Sequence, residues 1–533
     1  MASAARSRAR TARRSPSAVE APARGSLAFL LPPLFALALA AVAFVPRIQA
    51  NERLALSFFG AAAALLLGYA GLALRLGPAL RSRGVDLVLR RQHWLQAGVQ
   101  IAVYAYWGWF WRPVYAHAWL LVGQILFAYA FDLLLSWWRR ERTSLGFGPF
   151  PIILSTNLFL WFRDDWFYLQ FLMIAVGFLG KEFVRWERDG KRVHIFNPSA
   201  FTLGLFSLVL IATGTTELTW GQEIASTLTL APHIYLFLFA LGLVVMWFFS
   251  ITLVAGTAAL VLFGLSAGYA ALTGVPWFLD SEIPAAVFLG LHLLVTDPST
   301  SPRSAPGKAL FGALYGVSVF GLYALLGAFG VPTFYDKLLA VPLLNLSVRG
   351  IDGLVRRVRS GAPSAAPAAW ASARANLAFM SVWAVFFAAM TVLGRTDGRH
   401  VGDSLPFWEA ACGEGRPNAC ARLLQLEATY CADNSAWACN ELGAHHREGR
   451  LLPADEARAQ GFFARACELR FQAACLNLVD PTRFLRSPPR TLDLRLLLRE
   501  GGRNLMEMPE PELYERACRH QWGFACERQA STG

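Results

Sequence analysis

The sequence predicts an all-α protein, a polytopic transmembrane bundle of about thirteen helices followed by a C-terminal extramembrane helical-repeat domain. Three observations lead there. Apolar residues make up 55% of the 533 and charged residues only 16%, against about a quarter charged in a soluble domain. The apolar residues come in blocks of about 20, enough to span a hydrocarbon core of roughly 30 Å. All eight cysteines lie beyond residue 395, in a polar stretch without any such block.

Residues 1–25 form a basic tail holding Arg6, Arg8, Arg10, Arg13, Arg14 and Arg24. The run 26–45 is longer than a signal-peptide core, usually 7–15 residues, and a second block, 54–75, follows it. The pair reads as an uncleaved anchor with the N-terminus in the cytoplasm, closing an N-terminal unit at residue 92. Further blocks lie near 93–111, 113–136, 149–163, 166–183, 197–213, 232–250, 251–273, 283–296, 309–330, 337–349 and 371–393. Backbone groups in lipid need partners within their own segment, so continuous blocks are helices rather than open strands. The block 337–349 is short and is compatible with a re-entrant segment. The stretch 361–370 is an Ala/Pro linker within a segment 360–394 that carries the last crossing.

The net charge of +13 does not point to nucleic acid, because its arginines fall in alternate short loops. The loop 75–91 holds Arg75, Arg81, Arg83, Arg90 and Arg91. The next basic ones hold Arg139, Arg140 and Arg142; Lys181, Arg185, Arg188, Lys191 and Arg192; Arg303 and Lys308; and Arg349, Arg356, Arg357 and Arg359. Between them lie loops carrying Asp164, Asp165, Glu217, Glu223, Asp280 and Glu282. This is the positive-inside pattern. With thirteen crossings it puts the C-terminal domain, 395–533, outside a bacterial-type inner membrane, in the periplasm.

The cysteines form four pairs of identical spacing: Cys412 with Cys420, Cys431 with Cys439, Cys467 with Cys475, and Cys518 with Cys526. Each second member is preceded by Ala. Eight residues along one helix span about 12 Å, beyond the roughly 7 Å limit for a disulfide. A turn between two helices brings them together, so each pair predicts a helical hairpin stapled across its turn. Free cysteines or a zinc site are the alternatives, although zinc usually takes closer Cys spacing. Disulfides need an oxidising compartment, in accord with the outside placement. The pattern resembles Sel1-like, TPR-related repeats, which present a concave face to a protein partner.

Two connections carry more chemistry than a turn needs. In Lys181–Ala200, Asn197-Pro198 opens an apolar helix with a capping side chain and a first-turn proline. In Val295–Lys308, Asp297, Ser299, Thr300 and Ser301 supply oxygens between Pro298 and Pro302. Capping and turning at the membrane face is the plain reading of both. Together, however, FNPSAF (196–201) and TDPSTSP (296–302) resemble motifs of the NqrB/RnfD family, membrane subunits of the sodium-pumping NADH:quinone reductase and of the Rnf electron-transport complex. The family core has ten helices, which here correspond to 93–359. The resemblance implies a membrane subunit of a flavin-dependent electron-transport system, exchanging electrons with another redox protein or a quinone, with FMN or riboflavin as cofactor. Asn197, Asp297 and Thr300 then orient the cofactor pocket. The family's FMN-bearing threonine falls in the loop 215–233, which lacks the SGAT motif and offers Thr227 and Thr229 instead. A non-redox transporter or permease, or a membrane-anchored scaffold presenting its repeats, is the alternative.

Within the apolar blocks Asn157 and Gln170 are placed to pair across helices. His292, four residues before Thr296, is either a proton-relay group or a packed, hydrogen-bonded histidine. No GxGxxG, P-loop, CxxCH or ferredoxin-type cysteine run is present, so electrons would enter from a partner.

Overall fold

The computed structural model describes residues 27–479 except 189, 280, 361–372, 397–399, 433–434 and 470. The basic tail and the Ala/Pro linker lie outside the described residues. The described residues are mostly helical. At the N-terminus α1 (Leu31–Val42), α2 (Pro46–Gln49) and α3 (Glu52–Leu76) form one unit, in which the Asn51 side chain caps α3 by accepting the Leu54 N–H. These pack around Phe58, Phe127 and Phe171. Next come α4 (Arg91–Phe110), α5 (Pro113–Ala116), α6 (Ala118–Arg139), α7 (Pro149–Asn157), α8 (Tyr168–Phe183) and α9 (Pro198–Thr213). They are followed by α10 (Gly221–Thr227), α11 (Ile234–Phe249), α12 (Thr252–Thr273), α13 (Ala285–Leu293), α14 (Ala305–Ala328), α15 (Asp336–Ser360) and α16 (Ala373–Val392).

Six of these helices are long and apolar enough to cross a membrane, and seven if the segment Gly221–Leu230, bent by 101° against Ile234–Phe249, counts as one broken span. Thirteen apolar blocks therefore do not become thirteen long helices. The blocks 149–163 and 283–296 contain helices of only nine residues, α7 and α13, about 13 Å long. Almost all their side chains are buried, so the apolar run there reports enclosure by other helices as much as contact with lipid. In the opposite direction, the short block 337–349 is the first half of the 25-residue α15.

The neighbour pattern of the bundle repeats. In the first half α4 packs on α7, α6 on α7 and α8, and α8 on α9. In the second half α11 packs on α13, α12 on α13 and α14, and α14 on α15. The equivalent helices α4 and α11 touch each other, as do α9 and α15. This is the contact pattern of a pseudo-two-fold repeat. At the α9–α15 crossing a Cβ on Gly204 would sit 2.5 Å from Pro342 Cγ and 3.2 Å from the Leu338 carbonyl oxygen. Only glycine permits that approach.

Two short ribbons were not evident from the sequence. β1 (Gly84–Leu87) pairs in parallel with β2 (Arg142–Leu145), and β3 (Arg185–Arg188) pairs antiparallel with β4 (Lys191–His194). All four strands lie in the arginine-rich connections.

Beyond α16, the helices α17 (Leu405–Gly413), α18 (Ala419–Ala432), α19 (Ala436–Glu448), α20 (Glu456–Glu468) and α21 (Gln472–Val479) pack each on the next. Three of the four expected disulfides fall on described residues, and all three are formed. Cys412 is bonded to Cys420 with a Cα–Cα distance of 4.6 Å. Cys431 is bonded to Cys439 and Cys467 to Cys475, each at 4.7 Å. Each bond joins the end of one helix to the start of the next, as the spacing predicted. The expected fourth pair, Cys518 and Cys526, lies outside the described residues. The repeat domain is not a free arm: Val275, just past the end of α12, lies in the same apolar cluster as Trp408 and Phe463.

Candidate functional site

The two motifs meet. Asn197 caps α9, its Oδ1 accepting the backbone N–H of Ser199 at 3.0 Å and of Ala200 at 3.3 Å. Its Nδ2 donates to the Leu294 carbonyl at 3.1 Å, at the end of α13. Asn345 of α15 spans the gap: its Oδ1 accepts the Asn197 N–H at 3.1 Å and its Nδ2 donates to the Thr300 carbonyl at 3.3 Å. All three residues are buried. The first half, the second half and the TDPSTSP loop are therefore joined through two asparagine side chains.

Within the loop, Asp297 Oδ1 accepts from the Ser299 N–H at 2.9 Å and from Ser299 Oγ at 2.6 Å, a local side-chain turn. The Asp297 carbonyl accepts from Ser301 Oγ at 2.6 Å. The β3–β4 ribbon closes over this loop. A His194 ring nitrogen lies 3.0 Å from Ser299 Oγ. Arg188 donates to the Ser301 carbonyl at 3.0 Å and to Asp352 Oδ2 of α15 at 2.7 Å. Burial holds the His194 pKa below its ordinary value, against the pull of the nearby Asp297 carboxylate. Arg188, which the loop pattern places among the orienting charges, is 8% exposed and paired.

Sequence reasoning found Asn197, Asp297 and Thr300 here but missed Asn345, Arg188 and Asp352. The one available signal was a lone asparagine in the apolar block 337–349, since a buried amide in such a block needs partners.

Thr227 and Thr229 lie elsewhere, past the far end of α9, which is about 24 Å long. Both are buried. Thr227 Oγ1 donates to the Glu223 carbonyl at 2.6 Å and Thr229 Oγ1 to the Ser226 carbonyl at 3.0 Å. Neither residue lines the adjoining cavity, and a phosphoester at either would give up the hydrogen bond that its hydroxyl donates. A covalent flavin does not fit these two hydroxyls. The hydroxyl on the cavity wall is that of Ser226.

That cavity, of about 790 Å³, lies between the bundle and the repeat domain. The contacts beside it come from the turn stapled by Cys412 and Cys420. Arg416 Nη1 donates to the Gly274 carbonyl at 2.8 Å and Asn418 Nδ2 to Tyr269 Oη at 3.1 Å. The Arg422 guanidinium stands 4.6 Å over the Tyr323 ring.

Deeper in the bundle, Asn157 at the end of α7 joins a closed amide network. Its Nδ2 donates to Gln124 Oε1 at 2.7 Å, Gln170 Nε2 donates to the same oxygen at 3.2 Å, and His117 Nε2 lies 3.0 Å from Asn157 Oδ1. Gln170 Nε2 also lies 3.4 Å from Asn157 Oδ1, the pairing expected across helices. His292 on α13 bonds the Phe288 carbonyl through Nδ1 at 2.7 Å, while its Nε2 is buried without a partner among the described residues. The ring fills a notch at Gly242, where a Cβ would come within 1.9 Å of it.

The chain matches no family model, no curated protein and no solved structure.

Proposed function

We propose that the chain is a membrane subunit of a flavin-dependent electron-transport system, its α4–α15 bundle holding flavin or quinone and passing electrons to or from another redox protein. The observation that carries this reading is the meeting of FNPSAF and TDPSTSP through Asn197 and Asn345 at the junction of the two half-bundles. Two segments a hundred residues apart that resemble motifs of one redox family form a single structural unit here. In that unit Asn197, Asp297 and Thr300 are positioning residues, since their described hydrogen bonds go to backbone and to neighbouring side chains of the unit.

In the same reading the bundle, counting the half-length α7 and α13 as parts of broken spans, crosses a bacterial inner membrane thirteen times. The N-terminus is cytoplasmic and the Sel1-like repeat domain periplasmic, available to a protein partner. The alternation of arginine-rich and arginine-poor loops supports that orientation, and three disulfides agree with an oxidising outer compartment.

A specific feature favours a second reading, a non-redox transporter or permease. Two nine-residue helices, α7 and α13, occupy equivalent places in the two halves, and broken helices in paired repeats build substrate sites in many carriers. A visible spectrum of the detergent-purified protein separates the two. Flavin absorbance, retained in the acid pellet or released to the supernatant, supports the redox subunit. A colourless, folded protein showing substrate-dependent flux in vesicles supports the carrier.

A further inference from the structure

We infer that the groove between α3, α6 and α8 is a binding site for an anionic phospholipid, with one acyl chain lying in the groove and the phosphate held at its arginine-bearing end. The groove has a volume of about 550 Å³, within the roughly 300–1,000 Å³ range of small-molecule sites. Phe127 and Leu134 of α6 and Phe171 and Leu172 of α8 line it, while α3 contributes Gly60 and Ala64. Along α3 the lining runs from Leu56 to Leu72, about 24 Å, most of a hydrocarbon core of roughly 30 Å.

The lining asks for hydrocarbon. Its polar atoms are few, and the Ser57 hydroxyl is spent on the Arg53 carbonyl at 2.8 Å. The other two polar side chains, Tyr168 and Trp138, lie at opposite ends. Asp165, just before Tyr168, accepts from Asn51 at the start of α3, whereas Trp138 stands under Arg75 in its last turn. Interfacial aromatics at both ends mark a groove that follows the membrane normal.

Charge at one end selects the lipid. The Arg75 guanidinium lies 3.8 Å over the Trp138 ring and is exposed. It has no carboxylate partner among the described residues. The nearest carboxylate beyond Trp138, Glu182 at the end of α8, is already shared by Arg139 at 3.1 Å, Arg185 at 2.7 Å and Arg140. Lys181 adds a cation and Asp132 and Glu141 two carboxylates, which leaves the corner positive. A guanidinium with its fork uncommitted suits a phosphate, and basic sites between membrane helices on the cytoplasmic side hold anionic headgroups. A second copy of this chain fits less well. A two-fold axis along the membrane normal would set its Arg75 at the same level, like charge against like.

The inference rests on the membrane placement proposed above and not on redox chemistry. Measured in detergent, binding depends neither on orientation nor on a flavin, so failure of either leaves the test intact. Delipidated full-length protein is titrated with dioleoylphosphatidylglycerol and dioleoylphosphatidylcholine, and bound lipid is counted by native mass spectrometry. The variants are Arg75→Gln, which removes the charge, and Ala64→Phe, which fills the groove. Leu67→Phe is the control, on a side chain of α3 that is 74% exposed and outside the groove. The expected result is preferential binding of the anionic lipid, weakened about fivefold in Arg75→Gln, lost in Ala64→Phe and unchanged in Leu67→Phe. No preference for the anionic lipid, or a preference that either Arg75→Gln or Ala64→Phe leaves unchanged in folded protein, overturns the inference. So does a dimer that Ala64→Phe dissociates. If one variant fails to fold, the other decides.

Discussion

Replacing Asn345 by leucine, a side chain of the same branching and heavy-atom count, removes a group that bonds both motifs. Two buried backbone groups lose their partner, the Asn197 N–H, bonded at 3.1 Å, and the Thr300 carbonyl, bonded at 3.3 Å. Each buried polar group left unsatisfied costs about 1–3 kcal/mol. The longer bond to Thr300 and the added apolar contact of leucine pull the sum down, to about 2–3 kcal/mol. Because the damage is confined to the junction of the two halves, the readout is local opening rather than global melting. Hydrogen–deuterium exchange of the peptide covering 195–200 in nanodiscs should accelerate roughly thirtyfold or more, at about 1.4 kcal/mol per factor of ten. Peptides from the amide network around Asn157 should be unchanged. Unaltered exchange at 195–200 in a folded Asn345→Leu protein would refute the claim that this side chain ties the motifs together.

At the α9–α15 crossing, Gly204→Val places its Cβ within 2.5 Å of Pro342. It should cost at least about 1–3 kcal/mol of overpacking, read as a lower unfolding temperature, whereas a valine at Gly98, where a Cβ meets nothing within 4 Å, should do far less. Opening the first staple by the double substitution Cys412→Ser and Cys420→Ser frees a loop closed over a sequence separation of eight. The expected loss is about 2–3 kcal/mol, measured as protease sensitivity of the repeat domain with the bundle left intact. Because the folded-state pKa of His194 is held below its ordinary value, the neutral ring is the stable form. Its contribution is complete above the unfolded pKa of about 6.5 and is lost as pH falls through the lower folded value. Exchange protection of the β3–β4 ribbon should therefore weaken on acidification, and His194→Gln should flatten that dependence.

The order of elements was largely legible in the sequence, because apolar blocks, prolines and caps such as Asn197 act locally. The staples were legible for the same reason: the eight-residue step from Cys431 to Cys439, or from Cys467 to Cys475, admits a bond only across a turn. Lengths were less so. A run like PFPIILSTN, 149–157, is apolar because other helices enclose it, and enclosure leaves the same mark on a sequence as lipid does. α15 reads short because its second half, with Arg349 and Arg356, is polar, yet it continues as helix. In the site, the two motifs carried their own punctuation, but their partners did not. Arg188 and Asp352 are 164 residues apart, and an arginine in a basic loop looks like its neighbours until the fold buries it. Thr227 and Thr229 were chosen for their hydroxyls, and only the helical turn around them shows those hydroxyls spent on their own backbone.

The stapled turn between α17 and α18 also implies a schedule. Arg416 and Asn418 are shaped for their contacts by a turn in which Asn418 holds a φ of +60° and Gly415 one of +69°, inside the span closed by Cys412 and Cys420. The bundle lies earlier in the chain, so synthesis completes it before the oxidation that fixes this turn. In the proposed membrane placement, maturation then follows the order insertion, oxidation, docking. A cell that inserts the chain but leaves its thiols reduced would accumulate a finished bundle with an unassembled cap, a species set apart by its timing and not by its sequence.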